Sequence, residues 1–94
     1  MNTEYYLRLI AKERTRQDEK WGEQNHHPLL WFSIMGEEYG EMCYAFNRYT
    51  FDQDPNYFDK MQRQAIQIAA VAVAMLECVD RAAEKGMVPD GKRR

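Results

Sequence analysis

Glu37, Glu38 and Glu41 are the residues of this chain whose type and spacing point most directly to chemistry. Glu37 and Glu41 stand four apart, and Glu38 and Glu41 three apart. On a helix all three fall within roughly 100° of arc on one face. Like charges at this spacing repel and destabilise the helix that carries them. Apolar residues flank the cluster on both sides, which sets it beside a buried stripe rather than squarely opposite one. Carboxylates held together near a core call for a cation, and hard oxygen ligands suit Mg²⁺ or Mn²⁺. A solvated acidic face has the same spacing, so the pattern alone leaves both readings open.

The periodicity around the cluster is helical nearly throughout, and it predicts an all-α chain with no strand. Thr3 reads as the N-cap of a first helix, carrying Leu7, Ile10 and Ala11 and then a charged run from Lys12 to Lys20. Gly22 ends that pattern, and Trp21 to His27 reads as a loop. Pro28 opens a second helix, which carries the acidic cluster and reaches about Tyr49. Gly36 and Gly40 share one of its faces, a hint that another backbone or a ligand comes close. Asp54 and Pro55 signal a third helix running to Gly86, about 31 residues or roughly 45 Å. The tail from about Met87 reads as frayed, so residues 1–94 form one domain.

The third helix is apolar nearly all round from Ile66 to Leu76. Two other helices of one small chain cannot cover it, so the expected architecture is a helical hairpin plus an N-terminal helix. Oligomerisation, as a homodimer or homotetramer, would then complete a four-helix-bundle core.

Composition narrows the function further. The chain has 94 residues, 45% hydrophobic and 30% charged, with a formal net charge of −2. Nothing in that balance suggests a surface for a nucleic acid polymer. No apolar run is long enough to span a bilayer, and the N-terminus lacks the basic start of a signal peptide. Cys43 and Cys78 sit in apolar helical patterns and read as reduced, buried thiols. The expected location is the cytoplasm. His26 and His27 are adjacent and point apart, so they cap the second helix or line a pocket mouth rather than share a metal.

Three blocks of the chain, in order, resemble one family. The first is Glu13-Arg14-Thr15-Arg16-Gln17-Asp18-Glu19-Lys20-Trp21-Gly22-Glu23-Gln24. The second is Glu37-Glu38-Tyr39-Gly40-Glu41, with Trp31 and Ile34 ahead of it. The third runs from Ile66 to Glu77 and ends with Asp80-Arg81. Together they cover roughly residues 10 to 82 and resemble the MazG-like all-α nucleotide pyrophosphohydrolases, in particular a subgroup found in phages and prophages. The resemblance implies a helical bundle of two or more chains, in a host cytoplasm if the protein is phage-encoded. It implies Mg²⁺-dependent cleavage of a (deoxy)nucleoside triphosphate to monophosphate and pyrophosphate. Glu37, Glu38 and Glu41 then take the catalytic and metal-binding positions.

In one respect the chain departs from that pattern. Gln64 and Gln67 stand where the family carries an acidic pair. An amide oxygen can ligate a hard cation but brings no charge, so the metal site is weakened. Phosphate contacts are expected from Arg14, Arg16 and Lys20, with Lys60 and Arg63 on the third helix. Trp21 is the aromatic placed to stack on a base, and Gln64 and Gln67 complete the substrate shell. Two functions follow, a hydrolase or a nucleotide-holding protein that sequesters a nucleotide or nucleotide signal without cleaving it.

Overall fold

The computed structural model describes residues 2–86. They form three helices, α1 (Thr3–Trp21), α2 (Pro28–Thr50) and α3 (Tyr57–Glu84), and no strand. No described helix is long and apolar enough to cross a membrane. The expected frayed tail lies outside the described residues.

Local signals place most boundaries. Asn2, rather than Thr3, caps α1, its side-chain oxygen accepting from the Tyr5 N–H at 3.0 Å. Trp21 closes α1 instead of opening the loop, and Gly22 takes a left-handed φ of 74° just past it. His27 caps α2 through Nδ1, which accepts from the Leu29 N–H at 3.1 Å, and Pro28 follows at the first helical position. The Asp54-Pro55 signal marks a turn rather than the first turn of α3. The Asp54 side chain accepts from the Asn56 N–H and its carbonyl from the Tyr57 N–H, so the helix starts two residues later. At the other end α3 stops at Glu84, and Gly86 sits beyond it with φ 71°.

Helices α1 and α2 both pack along α3 and not on each other. Trp31, near the start of α2, packs against Val71, Ala74 and Cys78 near the end of α3. Tyr49 meets Phe58 at the opposite end, so α2 and α3 form an antiparallel hairpin. The α1 helix contributes no fully buried residue, and its polar tie to α3 is Arg14. Arg14 bonds Glu77 at 2.6 Å and Asp18 at 2.8 Å. Arg81 donates to Asn25 and to the Gln24 carbonyl, both at 3.0 Å, and fastens the loop after α1 to the far end of α3.

The core is thin. Its largest member is Trp31, at 1% exposure, set against Ala74, Val71 and Cys78. Cys78 is buried as expected, with its thiol 3.7 Å from the His26 carbonyl, whereas Cys43 is half-buried. Truncating Trp31 leaves a cavity that short neighbours cannot fill. Trp31→Ala is expected to cost about 3–5 kcal/mol, read as a lower urea midpoint at unchanged slope. A loss below about 1 kcal/mol would show that the α2–α3 contact does not hinge on this residue.

Candidate functional site

The inward stripe of α2 runs Trp31, Ile34, Met35, Glu38, Met42, Ala45. Every member but one is apolar, and the exception is Glu38. A carboxylate at such a position is drawn toward the core by the packing of its own helix. Glu38 is half-buried, and its Oε2 is shut off from water with no hydrogen-bond partner. Burial raises the Glu38 carboxyl above its ordinary range, and the neighbouring charges of Glu41, Glu13 and Glu37 push it the same way.

What surrounds Glu38 is a groove along one side of the hairpin. The part covered by α1 is a cleft of about 370 Å³, whose walls include Glu13, Arg16, Lys20 and Trp21 from α1 with Glu38 and Gln67. Toward the α2–α3 turn the groove continues as a cleft of about 430 Å³, lined by Glu41, Lys60, Arg63, Gln64 and Gln67 among others. Gln67 lines both, so the two clefts adjoin along α3.

The expected site residues are therefore distributed unevenly. Glu38 enters the first cleft and Glu41 the second, while Glu37 is exposed and lines neither. Arg16, Lys20 and Trp21 gather in the first cleft, and Lys60, Arg63 and Gln64 in the second. Arg14 lies outside the groove, committed to Asp18 and Glu77. Glu77 and Asp80 form no pair with Arg81, which binds Glu23, Asn25 and the Gln24 carbonyl instead.

Several groove residues, Glu13, Tyr44 and Tyr57 among them, escaped the sequence reading. Glu13, on α1, faces Glu38 across the first cleft and adds to its charge repulsion. Its carboxylate is held by Arg16 at 2.6 Å, and Gln17 donates to it at 3.4 Å. The Arg16 hydrogen bond holds Glu13 below the usual carboxylate range, against the opposing effect of burial. Glu13 thus brings from α1 a carboxylate to a site that α3 furnishes only with amides.

The donors suit a hard cation. Gln64 Oε1, like Glu38 Oε2, is buried without a hydrogen-bond partner. Among the described residues no three His, Cys, Asp or Glu side chains already converge as a metal cage. Mg²⁺ does not require one, since it commonly takes one or two carboxylates and fills the remaining positions with water and phosphate oxygens.

The Glu38 shift has a consequence for stability. Its folded-state value is raised, so the neutral form is favoured by folding. That contribution is fully present below the ordinary value of 4.5 and is lost as pH rises through the raised folded value. In chelator, Glu38→Gln is therefore expected to melt higher than the parent at neutral pH, with the gap closing below about pH 4.5. Parallel melting curves across that range would remove the case for a strained carboxylate. Compared with protein-family models, curated proteins and solved structures, the chain matches none of them.

Proposed function

We propose that the groove binds a nucleoside triphosphate with Mg²⁺ or Mn²⁺ and hydrolyses it to monophosphate and pyrophosphate in the cytoplasm. The observation that carries this reading is Glu38, a carboxylate in an apolar stripe with an unpartnered oxygen and no cation to offset its neighbours. The resemblance to MazG-like all-α pyrophosphohydrolases supports the same chemistry. Glu38 and Glu41 hold the cation, with the amide oxygens of Gln64 and Gln67 as neutral ligands and Glu37 adding charge from the rim. Trp21 stacks on the base, Arg16 and Lys20 bind the near phosphates, and Lys60 and Arg63 the far ones.

When bound, the cation neutralises phosphate charge and makes a nearby water more acidic. One of Glu37, Glu38 and Glu41 would orient that water and accept its proton. The water oxygen bonds to the α phosphorus, the bond from that phosphorus to the bridging oxygen breaks, and pyrophosphate leaves with the electron pair.

A second reading has its own support. Gln64 and Gln67 bring no charge, and no three acidic side chains converge among the described residues. Such a groove repels an anion less and activates water less, so it would hold a nucleotide without cleaving it. Mass spectrometry of the protein with linear triphosphates and cyclic nucleotides plus Mg²⁺ or Mn²⁺ separates the two. Monophosphate and pyrophosphate release, reduced about 100-fold or more in Glu38→Ala, is the expected result. A nucleotide that binds and returns intact, with turnover created by Gln64→Glu, would replace hydrolysis by sequestration. A panel neither bound nor converted would sink both readings.

The same proposal includes self-assembly. Leu29, Phe32, Gly36, Tyr39, Cys43 and Phe46 recur along α2 at alternating spacings of three and four, a seam that suits helix pairing. Leu29 is 69% exposed and Phe32 66%. On α3, Phe58, Leu76 and Val79 are exposed as well. A Cβ added at Gly36 or Gly40 would meet nothing within 4 Å, so the close approach those glycines permit is not used within the chain. On the helical wheel this seam lies away from the groove-facing side of α2. A second copy docking there would complete a four-helix core and leave the groove open. Sedimentation should give at least a dimer for the parent and a monomer for Phe32→Lys. A monomeric parent at tens of micromolar would rule the seam out.

A further inference from the structure

We propose that the hairpin end of the groove is a second nucleoside subsite, so that the groove accepts a ligand with two nucleosides joined through phosphates. The proposal rests on the nucleotide reading above and concerns Tyr44 and Tyr57, the aromatic residues which that reading leaves unused.

Two aromatic rings stand at this end. Tyr44 and Tyr57 line the cleft that holds Lys60, Arg63 and Gln64, and their rings meet edge to face at 6.0 Å. Lys60 Nζ lies 4.6 Å from the Tyr57 ring centre, and the Arg48 guanidinium 5.0 Å from that of Tyr44. Arg48 is already occupied by Asp52 at 2.6 Å. Lys60 and Arg63, by contrast, have no carboxylate within ion-pair distance among the described residues. Standing three apart on one helix, they repel one another, and a bound anion relieves that repulsion.

The far end has the same makeup. There Lys20 Nζ lies 4.8 Å from the Trp21 ring centre, beside Arg16. Each end thus offers an aromatic ring under a lysine with an arginine near it. Between them lie the carboxylates and amides of Glu38, Glu41, Gln64 and Gln67. Aromatic rings stack on any base, because every base has a π-face. Basic side chains beside them take the phosphate that the base carries. From Tyr57 to Val71 the groove follows α3 for about 21 Å at 1.5 Å per residue. A mononucleotide fills Trp21 and the centre and places its last phosphate at Lys60 and Arg63. A second nucleoside attached to that phosphate reaches Tyr44 and Tyr57. Lys60 then leaves the Tyr57 ring for the phosphate and frees the ring face for the base.

The test is calorimetric titration of the intact protein, with Ca²⁺ in place of Mg²⁺ to suppress turnover. The probes are the nucleoside 5′-triphosphates of adenine, guanine, cytosine and uracil, and the symmetric dinucleoside tetraphosphates of the same bases. For at least one base the dinucleoside should bind about tenfold or more tightly than its triphosphate, as linked binding groups do. Tyr57→Leu should erase most of that advantage. Tyr57→Leu should leave triphosphate binding within about twofold of the parent. Equal affinity of the two probe classes overturns the second subsite while the nucleotide reading stands. So does an equal loss for both classes in Tyr57→Leu, which would put the single base on the tyrosines. If neither class binds, both proposals fall together.

Discussion

A single carboxylate in an apolar stripe constrains the rest of this structure. The packing of α2 on α3 requires an inward face, and Glu38 occupies one of its positions between Met35 and Met42. Burial disfavours the charged carboxylate, and Glu13, Glu37 and Glu41 add repulsion. The chain does not neutralise it, because Arg16 turns to Glu13 and Arg14 to Glu77 and Asp18. What α3 offers on the groove side is amide, at Gln64 and Gln67, where a core would be apolar. The groove is the result, a polar channel along a contact that would otherwise be a plain hydrophobic seam.

The two walls of that channel are built with different strength. One is the hairpin itself, locked by Trp31 against Val71, Ala74 and Cys78. The other is α1, which buries no residue fully and lies along α3 through one ion pair, Arg14 with Glu77, and partly buried side chains. Exposed ion pairs contribute little, of order 0–1 kcal/mol each. The wall that carries Arg16, Lys20 and Trp21 is therefore the easier one to displace. Elements that admit and release ligands are drawn from the less stable parts of a fold. This asymmetry places the metal-ligating candidates on the rigid wall and most of the phosphate- and base-contacting ones of the first cleft on the looser one.

The helices were legible in the sequence because their signals are local. Gly22 and Pro28 act within a turn of where they sit, and periodicity needs only one helix to be seen. The errors were local too, such as Asp54 capping a turn instead of α3, since Asp followed by Pro is compatible with either. The makeup of the groove was less legible because it depends on how α1 is registered against α3. Glu13 reads in sequence as part of a charged run, and only the placement of α1 turns it toward Glu38. Arg14 and Arg16 look equivalent as phosphate ligands, yet they stand two residues apart, about 200° around the helix, and so face different partners. Tyr44 and Tyr57 lie on different helices, and only the packing of α2 on α3 brings both to the groove.

The surplus apolar surface is the other half of the same design. A chain of this size that spends part of its interior on a polar groove has less area left for a core. Phe32 and Leu29 on α2 and Leu76 on α3 remain exposed, and around α2 Phe32 and Leu29 fall on the side away from Glu38. Had they lain on the groove side, burying them would have closed the channel. With Leu29 and Phe32 placed opposite on α2, the groove keeps its opening. The physical requirement for a stable core and the requirement for an accessible carboxylate thus fall on different faces of the same two helices. The alternating spacing of α2 satisfies both, with Trp31, Ile34, Glu38 and Ala45 turned one way and Leu29, Phe32, Tyr39 and Phe46 the other.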